Sequence, residues 1–138
     1  MSSELTASES AAGWYVVRAL TSAEWTPAIL AALEHGPLHY TELFHRASSL
    51  HVAEQWRPRH EHLYESTLTR TLKQLTDDNV ITRHEEAGAF PPSVSYSLTD
   101  AARDLLSALE PLVRWVDDHT ELIEQARLRR LDSASGHE

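Results

Sequence analysis

The chain has 138 residues, an apolar fraction of 41% and a formal net charge of -9, a composition typical of one soluble globular domain. The absence of cysteine excludes disulfides, thiolate metal sites and thiol-based redox sensing. The amino terminus lacks the basic flank and apolar run of a secretory signal, and no apolar stretch approaches the roughly 20 residues that cross a bilayer. The sequence therefore predicts a cytoplasmic protein without a membrane partner.

Small polar residues at the two termini predict flexible tails over residues 1–12 and 132–138. One domain is then expected over residues 13–131. Its first apolar stretch, WYVVRAL, follows Gly13 and fits either a short helix or a strand.

The first clear helical pattern lies in TSAEWTPAILAALEHGP. Ser22 is the expected N-cap, Pro27 fits the first turn, and Gly36 followed by Pro37 ends the helix. The apolar positions that recur at helical spacing are Trp25, Ile29, Ala32 and Leu33.

A second helix is predicted in HYTELFHRASSL, with Thr41 as its N-cap. The residues expected to be buried are Leu43, Phe44 and Ala47. The segment that follows, HVAEQWRPRHEHLYE, is polar and irregular, and Pro58 forbids a continuous helix through it.

The stretch STLTRTLKQLTDDNVITR predicts a third helix over Ser66–Asp77. Leu68, Leu72 and Leu75 share one face of this helix with Thr71. The opposite face is polar and carries Ser66, Thr69, Arg70, Lys73 and Asp77. Such a helix either turns its polar face to solvent or lays it in a DNA groove.

Beyond this helix the apolar residues recur at every second position. Val94, Tyr96 and Leu98 alternate with serines, as a half-buried strand requires, and VITRHE is a natural partner strand with AGAFPP at the hairpin tip. Thr99 is then expected to cap a long helix that Pro111 bends. The apolar residues of that helix are Leu105, Leu106, Leu109, Leu112, Val113 and Val116, and ELIEQARLRRL continues the helical pattern.

The order of three helices, a hairpin and a long helix is the outline of a winged helix-turn-helix domain, a mainly α (α+β) fold with a β-hairpin wing. In that arrangement the third helix is the one able to enter a major groove. A long apolar helix on a small domain cannot bury its face alone, so a partner helix is expected.

Particular residues carry a resemblance to a known family. EWTPAILAALEHGPLHYTEL resembles the signature of HxlR-type winged helix-turn-helix transcriptional regulators. LTRTLKQLTDDNVITR is similar to the recognition helix and first wing strand of that family, and PPSVSYSLTDAARDLLSALEPLVRW to its second wing strand and C-terminal helix. The matching signature residues are Trp25, Ile29, Leu30, Gly36, Pro37, Tyr40, Glu42 and Leu43.

The resemblance implies a homodimeric regulator that binds a roughly palindromic operator on double-stranded DNA, with N- and C-terminal helices that pair across a two-fold axis. The residues expected at the dimer interface are Trp14, Val17, Leu20, Leu109, Leu112, Val113 and Val116. Those expected against DNA are Tyr40, Thr41, Ser66, Thr67, Thr69, Arg70, Lys73, Gln74, Arg83, His84 and Ser93. Arg and Lys pair with guanine, Gln with adenine and Thr methyl groups with thymine, whereas the start of the second helix offers hydroxyl and N–H groups to phosphate.

The sequence departs from the family pattern before the recognition helix. About a dozen additional residues lie around residues 51–62, Tyr64 stands where a Ser is usual, and Ser93 stands where the wing often carries an Arg. The added segment is a surface loop, an additional DNA contact or part of a small-molecule effector pocket. Its candidate residues are Trp56, Arg57, Arg59, His60, His62 and Tyr64.

The excess of acidic residues does not extend to the region expected to contact DNA. Residues 56–84 contain five cations and four acidic residues, a local charge of +1 that leaves -10 for the remainder of the chain. The sequence therefore predicts modest non-specific DNA binding with a shallow salt dependence, since each neutralised phosphate adds about 0.9 to the slope.

Other functional classes receive little support from the sequence. The histidines have no companion carboxylate or Cys at recognised ligand spacing, and no phosphate loop or nucleophile motif is present. We therefore expect no cofactor, no metal and no enzymatic activity. The alternative to the regulator is a winged-helix module for small-molecule sensing or protein interaction, with weak or lost DNA binding.

Overall fold

The structure is a computed structural model that describes residues 4–51, 56, 62–88 and 90–136. Within these residues it contains six helices and a three-stranded antiparallel sheet. The helices are α1 (Ala7–Leu20), α2 (Thr26–Ala32), α3 (Tyr40–Leu50), α4 (Glu65–Asp77), α5 (Asp100–Asp118) and α6 (Thr120–Ser135). The strands are β1 (Leu38–His39), β2 (Ile81–Glu86) and β3 (Ser93–Leu98). The predicted winged helix-turn-helix outline is confirmed.

The sheet forms the wing and joins it to the helices. β2 and β3 pair as the predicted hairpin, with Arg83 opposite Tyr96. β1 pairs with the other edge of β3, with Leu38 opposite Tyr96, and no sequence pattern indicates this strand because it is only two residues long. The strand order β1-β3-β2 places the start of α3 beside the base of the wing.

One hydrophobic core holds α2, α3, α4 and the sheet together. Leu68, Leu72 and Leu75 of α4 are at most 2% exposed, as the leucine spacing predicts. The rest of the core comes from the two preceding helices, the strands and the first turn of α5, and includes Trp25, Ile29, Leu30, Leu33, Leu43, Ala47, Ile81, Tyr96, Leu98 and Ala102. The core fixes α4 at the surface with only its leucine face inward.

A Schellman turn connects α4 to the wing. The N–H of Val80 donates to the carbonyl of Leu75 at 2.9 Å, and the N–H of Asn79 donates to the carbonyl of Thr76 at 3.1 Å. Asn79 has a φ of 58°, the left-handed conformation that Asn tolerates better than most residues. This turn sets the direction in which β2 leaves the end of α4.

Two predicted N-caps were wrong, and the first helix begins before the apolar stretch in which it was expected. α1 begins at Ala7, inside the expected N-terminal tail, because Thr6 and Glu9 form a capping box. Ser22 caps no helix, since its hydroxyl donates to the carbonyl of Ala19 and α2 begins only at Thr26. Thr41 is the second residue of α3 and not its N-cap, a position that His39 occupies.

The C-terminal helical region is divided in two. Thr99 caps α5 as predicted, since its hydroxyl accepts a hydrogen bond from the N–H of Ala102 at 3.2 Å. Pro111 lies inside α5, while the bend expected there stays a prediction. The helix ends before His119, and α6 then continues to Ser135, into the segment expected to be a C-terminal tail.

We predict that Asn79→Ala lowers the free energy of unfolding by about 1 kcal/mol, because a Cβ without a polar side chain is disfavoured in the left-handed region. Asn79→Gly is the matched control and should change stability much less. Urea denaturation followed by circular dichroism measures both. Equal losses for Ala and Gly would show that the side chain of Asn79, and not its backbone conformation, maintains the turn.

Candidate nucleic-acid interface

The outward face of α4 gathers most of the polar residues that the sequence assigns to DNA. Ser66, Thr69, Arg70, Lys73 and Gln74 are all exposed on this face, and the neighbouring Thr67 is half-buried. They form one continuous surface because the leucines on the opposite side are held in the core. We call this set of six residues the reading face.

The two cations of the reading face differ in their surroundings. Lys73 Nζ lies 2.8 Å from Asp77 Oδ2, and both side chains are largely exposed. The hydrogen bond from Lys73 to this carboxylate, together with the charge of Asp77, raises the pKa of Lys73. In the described part of the chain Arg70 has no such acidic partner, so its guanidinium is available to a ligand.

Tyr40 contacts the reading face from α3. Its hydroxyl donates to the carbonyl of Glu65 at 3.2 Å and also lies 3.2 Å from Thr69 Oγ1. The sequence predicts Tyr40 against phosphate, and the structure places its hydroxyl instead on the first turns of α4. Thr41, the other residue predicted there, is exposed in the first turn of α3, where backbone N–H groups lack helical partners.

On the wing, the cation of β2 lies beside an acidic side chain. Arg83 and Glu85 on β2 lie 3.5 Å apart, and His84 beside them is exposed. Ser93, on β3, shares a hydrogen bond of 3.2 Å with Nδ1 of His39. The same ring nitrogen lies 3.3 Å from the carbonyl of Val94, so His39 ties the start of α3 to the wing.

Sequence reasoning does not find His39, because its contact depends on the two-residue strand β1. The residues around it line a surface cavity of about 370 Å³ between the start of α3 and the wing. The cavity is formed by His39, Tyr40, Thr41, Pro92, Ser93, Val94 and Tyr96.

The segment before α4 is described only in part. Arg57, Arg59 and His60, which are candidates for DNA or effector binding, lie outside the described residues. Trp56 lies beneath the guanidinium of Arg130 from α6, 5.4 Å from its ring centroid. His62 and Tyr64 are exposed, and Tyr64 is the N-cap residue of α4 without a side-chain cap bond.

His51 anchors the beginning of this segment. Its imidazole stacks on Trp25 with 4.0 Å between ring centroids, and Nε2 lies 2.9 Å from a carboxylate oxygen of Glu24. Glu24, His51 and Trp56 border a cavity of about 320 Å³ beside the start of α2. The sequence offers no signal for this pair, because 27 positions separate the two residues.

The terminal helices expose a large apolar surface. In the described chain α1 has no buried residue, and α5 buries only Ala102. A groove of about 760 Å³ runs between α1, α2 and α5 and is lined mainly by apolar side chains. Of the residues expected at a dimer interface, Leu109 is half-buried. The other six are exposed, namely Trp14, Val17, Leu20, Leu112, Val113 and Val116.

Two further observations concern the described residues alone. They contain no group of three or more His, Asp or Glu side chains arranged to hold a metal ion. None of their helices combines the length and hydropathy needed to cross a membrane.

The fold and the exposed face of α4 define a winged helix-turn-helix protein. Residues 20–124 match the profile of the HxlR-like helix-turn-helix family, and the chain belongs to that family. The resemblance that the sequence suggests is thereby confirmed.

Two curated relatives carry the description of uncharacterised HTH-type transcriptional regulators. The protein of Halalkalibacterium halodurans is 47% identical over 49 residues, which are 36% of this chain and 42% of the relative. The protein of Methanothermobacter thermautotrophicus is 27% identical over 92 residues, which are 67% of this chain and 60% of the relative. The chain thus spans about half the length of the relatives that it matches.

A crystal structure from Enterococcus faecalis V583, described as a transcriptional regulator of the MarR family, superposes with a TM-score of 0.66. The superposition covers 91% of this chain and 99% of that one, at 20% sequence identity. At this identity the likeness concerns the fold alone.

We predict that Asp77→Asn lowers the pKa of Lys73 towards its ordinary value, because the hydrogen bond and the negative charge that raise it are both weakened. An NMR titration of the Lys73 side chain measures the shift. Asp78→Asn removes a neighbouring charge that has no bond to Lys73 and is the control. If both variants move the titration equally, the raised pKa reflects the general acidity of this turn and not the pair.

Proposed function

We propose that the protein is a sequence-specific DNA-binding transcriptional regulator that acts in the cytoplasm. The observation that carries the proposal is the reading face, a continuous polar surface on a helix that the core holds beside a wing. A recognition helix needs this arrangement to enter a major groove while the neighbouring elements contact the backbone. Membership of the HxlR-like family and the descriptions of the two relatives support the same conclusion.

The side chains of the reading face suit direct reading of bases. Arg70, which is exposed and without an acidic partner in the described residues, can form the bidentate pair with guanine O6 and N7. Gln74 lies one helical turn further on and has the chemistry to pair with adenine. Lys73 can exchange Asp77 for a phosphate, because its present partner is exposed and such pairs contribute little stability.

We further infer that the regulator is a homodimer. The exposed apolar residues of α1 and α5 would remain in water in a monomer, and contiguous apolar surface of this extent is typical of an interaction site. A two-fold pair of these helices would present two reading faces to a roughly palindromic operator.

An effector is the least defined part of the proposal. The cavity beside the start of α2 combines Trp56, the pair His51 and Glu24, and apolar walls. Arg130 of α6 lies over Trp56, so a small molecule that moves Trp56 would also disturb its contact with a terminal helix.

One observation favours a second function. On β2, Arg83 is opposed by Glu85, and Glu86 adds a further negative charge near the tip. A wing with this balance is poorly suited to phosphate and better suited to a basic protein surface. If the protein lacks specific DNA binding, a protein-interaction module is the alternative.

We predict that Arg70→Ala weakens binding to a selected operator by roughly 5–150-fold, because its guanidinium no longer pairs with a base. Lys73→Ala should weaken binding to all duplexes alike and lower the salt slope by about 1, because one phosphate is no longer neutralised. Fluorescence anisotropy at several salt concentrations measures both effects.

Arg129→Ala is the matched control for these variants, because Arg129 is an exposed cation on α6 and is not part of the reading face. Binding that is insensitive to Arg70→Ala and Lys73→Ala would refute the assignment of α4 as the recognition helix. A similar reduction of affinity for all three variants would indicate a general charge effect.

For the dimer, we predict that Val113→Glu yields a folded monomer. Val113 is 58% exposed, so a charge there is tolerated by one chain but costly inside an apolar interface. Light scattering should give twice the chain mass for the wild type and for the control Phe90→Glu, whose side chain lies fully exposed at the wing tip. A wild type that is monomeric at micromolar concentration would contradict the two-fold arrangement.

A further inference from the structure

The hydroxyl contacts between α3 and α4 determine which hydrogen-bonding group Thr69 can offer to a base. Tyr40 is the first residue of α3, and its hydroxyl oxygen lies 3.2 Å from the carbonyl oxygen of Glu65. It also lies 3.2 Å from Thr69 Oγ1. Thr69 is exposed on the reading face, one helical turn after Glu65.

The two contacts together fix the direction of both hydrogen bonds. A carbonyl oxygen can only accept, so Tyr40 donates its single hydroxyl proton to Glu65. In the contact between the two hydroxyls Tyr40 is then the acceptor, and Thr69 must be the donor.

Other threonines of α4 clarify why Thr69 turns to Tyr40. Thr71 donates to the carbonyl of Thr67 at 2.9 Å, and Thr76 donates to the carbonyl of Leu72 at 2.7 Å, in each case four residues back. The equivalent acceptor for Thr69 is the carbonyl of Glu65, which already receives the proton of Tyr40.

We propose that Tyr40 is a specificity-determining positioning residue, which holds the hydroxyl proton of Thr69 away from DNA and so makes this position of the operator unfavourable to guanine. The inference rests on the proposed function. With its proton committed, Thr69 presents to the groove a lone pair and a methyl group. These suit the amino group of adenine or cytosine and the methyl group of thymine, whereas guanine offers only the acceptors N7 and O6 in the major groove.

The test is a double-mutant cycle in which the measured quantity is the preference for one base pair over another. The full-length wild type first selects duplexes from a randomised DNA library. A set of duplexes is then made from the best one, in which each position of one half-site carries in turn each of the four base pairs. Anisotropy measures its binding to the wild type, Tyr40→Phe, Thr69→Val and the double variant. Phe keeps the ring of Tyr40, Val keeps the shape of Thr69, and thermal unfolding checks that all four proteins are folded.

We expect one position at which guanine weakens wild-type binding on the order of tenfold. Tyr40→Phe should reduce that penalty by roughly threefold at this position alone, since the released proton is shared between guanine and the vacated carbonyl of Glu65. In the Thr69→Val background the same Tyr40→Phe change should leave the guanine penalty unaltered, because there is no hydroxyl to redirect.

Two results would overturn the inference while leaving the proposed function intact. Tyr40→Phe could alter binding equally in both backgrounds or at every position, which would mean that Tyr40 only supports the packing of α3 on α4. Alternatively, the guanine penalty could be absent or unchanged by the variant. A library from which no duplex is enriched would instead refute DNA binding itself, and this inference with it.

Discussion

The burial of Leu68, Leu72 and Leu75 is the interaction on which the remaining structure depends. These side chains are at most 2% exposed, and replacing one buried leucine by alanine removes roughly 2–5 kcal/mol, a large part of the ~5–15 kcal/mol that stabilises a domain. Because the leucines repeat along one side of α4, their burial also determines which residues face outward. Stability and the reading face thus have the same physical cause.

The charges on α4 and the wing determine how strongly this acidic chain is attracted to DNA. Residues 56–84 carry a net charge of +1 and the remainder of the chain -10, and charges further apart than ~8 Å are largely screened at physiological salt. Locally, however, Lys73 is held by Asp77 and Arg83 by Glu85. Non-specific attraction should therefore be weak, and recognition should depend more on shape and on base contacts than on charge.

The parts of the fold with strong periodicity could be predicted from the sequence. The leucine spacing of α4 and the alternation of Val94, Tyr96 and Leu98 indicate this helix and the second strand of the wing, because burial of one face imposes those periods. Helix starts were less predictable. Thr41 has the chemistry of an N-cap, but pairing of β1 with β3 carries the extended chain only to His39, so α3 begins two residues earlier than predicted.

The hydrogen bonds of the candidate site could not be predicted from the sequence, for a different reason. The sequence predicts a DNA contact for Tyr40, which stays a prediction, and its partners Glu65 and Thr69 are 25 and 29 positions away. Such contacts depend on how two helices pack, which no local pattern encodes. The same applies to His51 and Glu24, whose pairing requires the end of α3 to lie beside the start of α2.

Hydroxyl-radical footprinting of the wild type on a duplex that it selects from a random library tests the central claim most directly. A dimer that places two copies of α4 in successive major grooves should protect two segments on one side of the duplex. Their centres should lie about 34 Å apart, or a multiple of that distance. A single protected segment, or uniform protection without a repeat, would contradict the account.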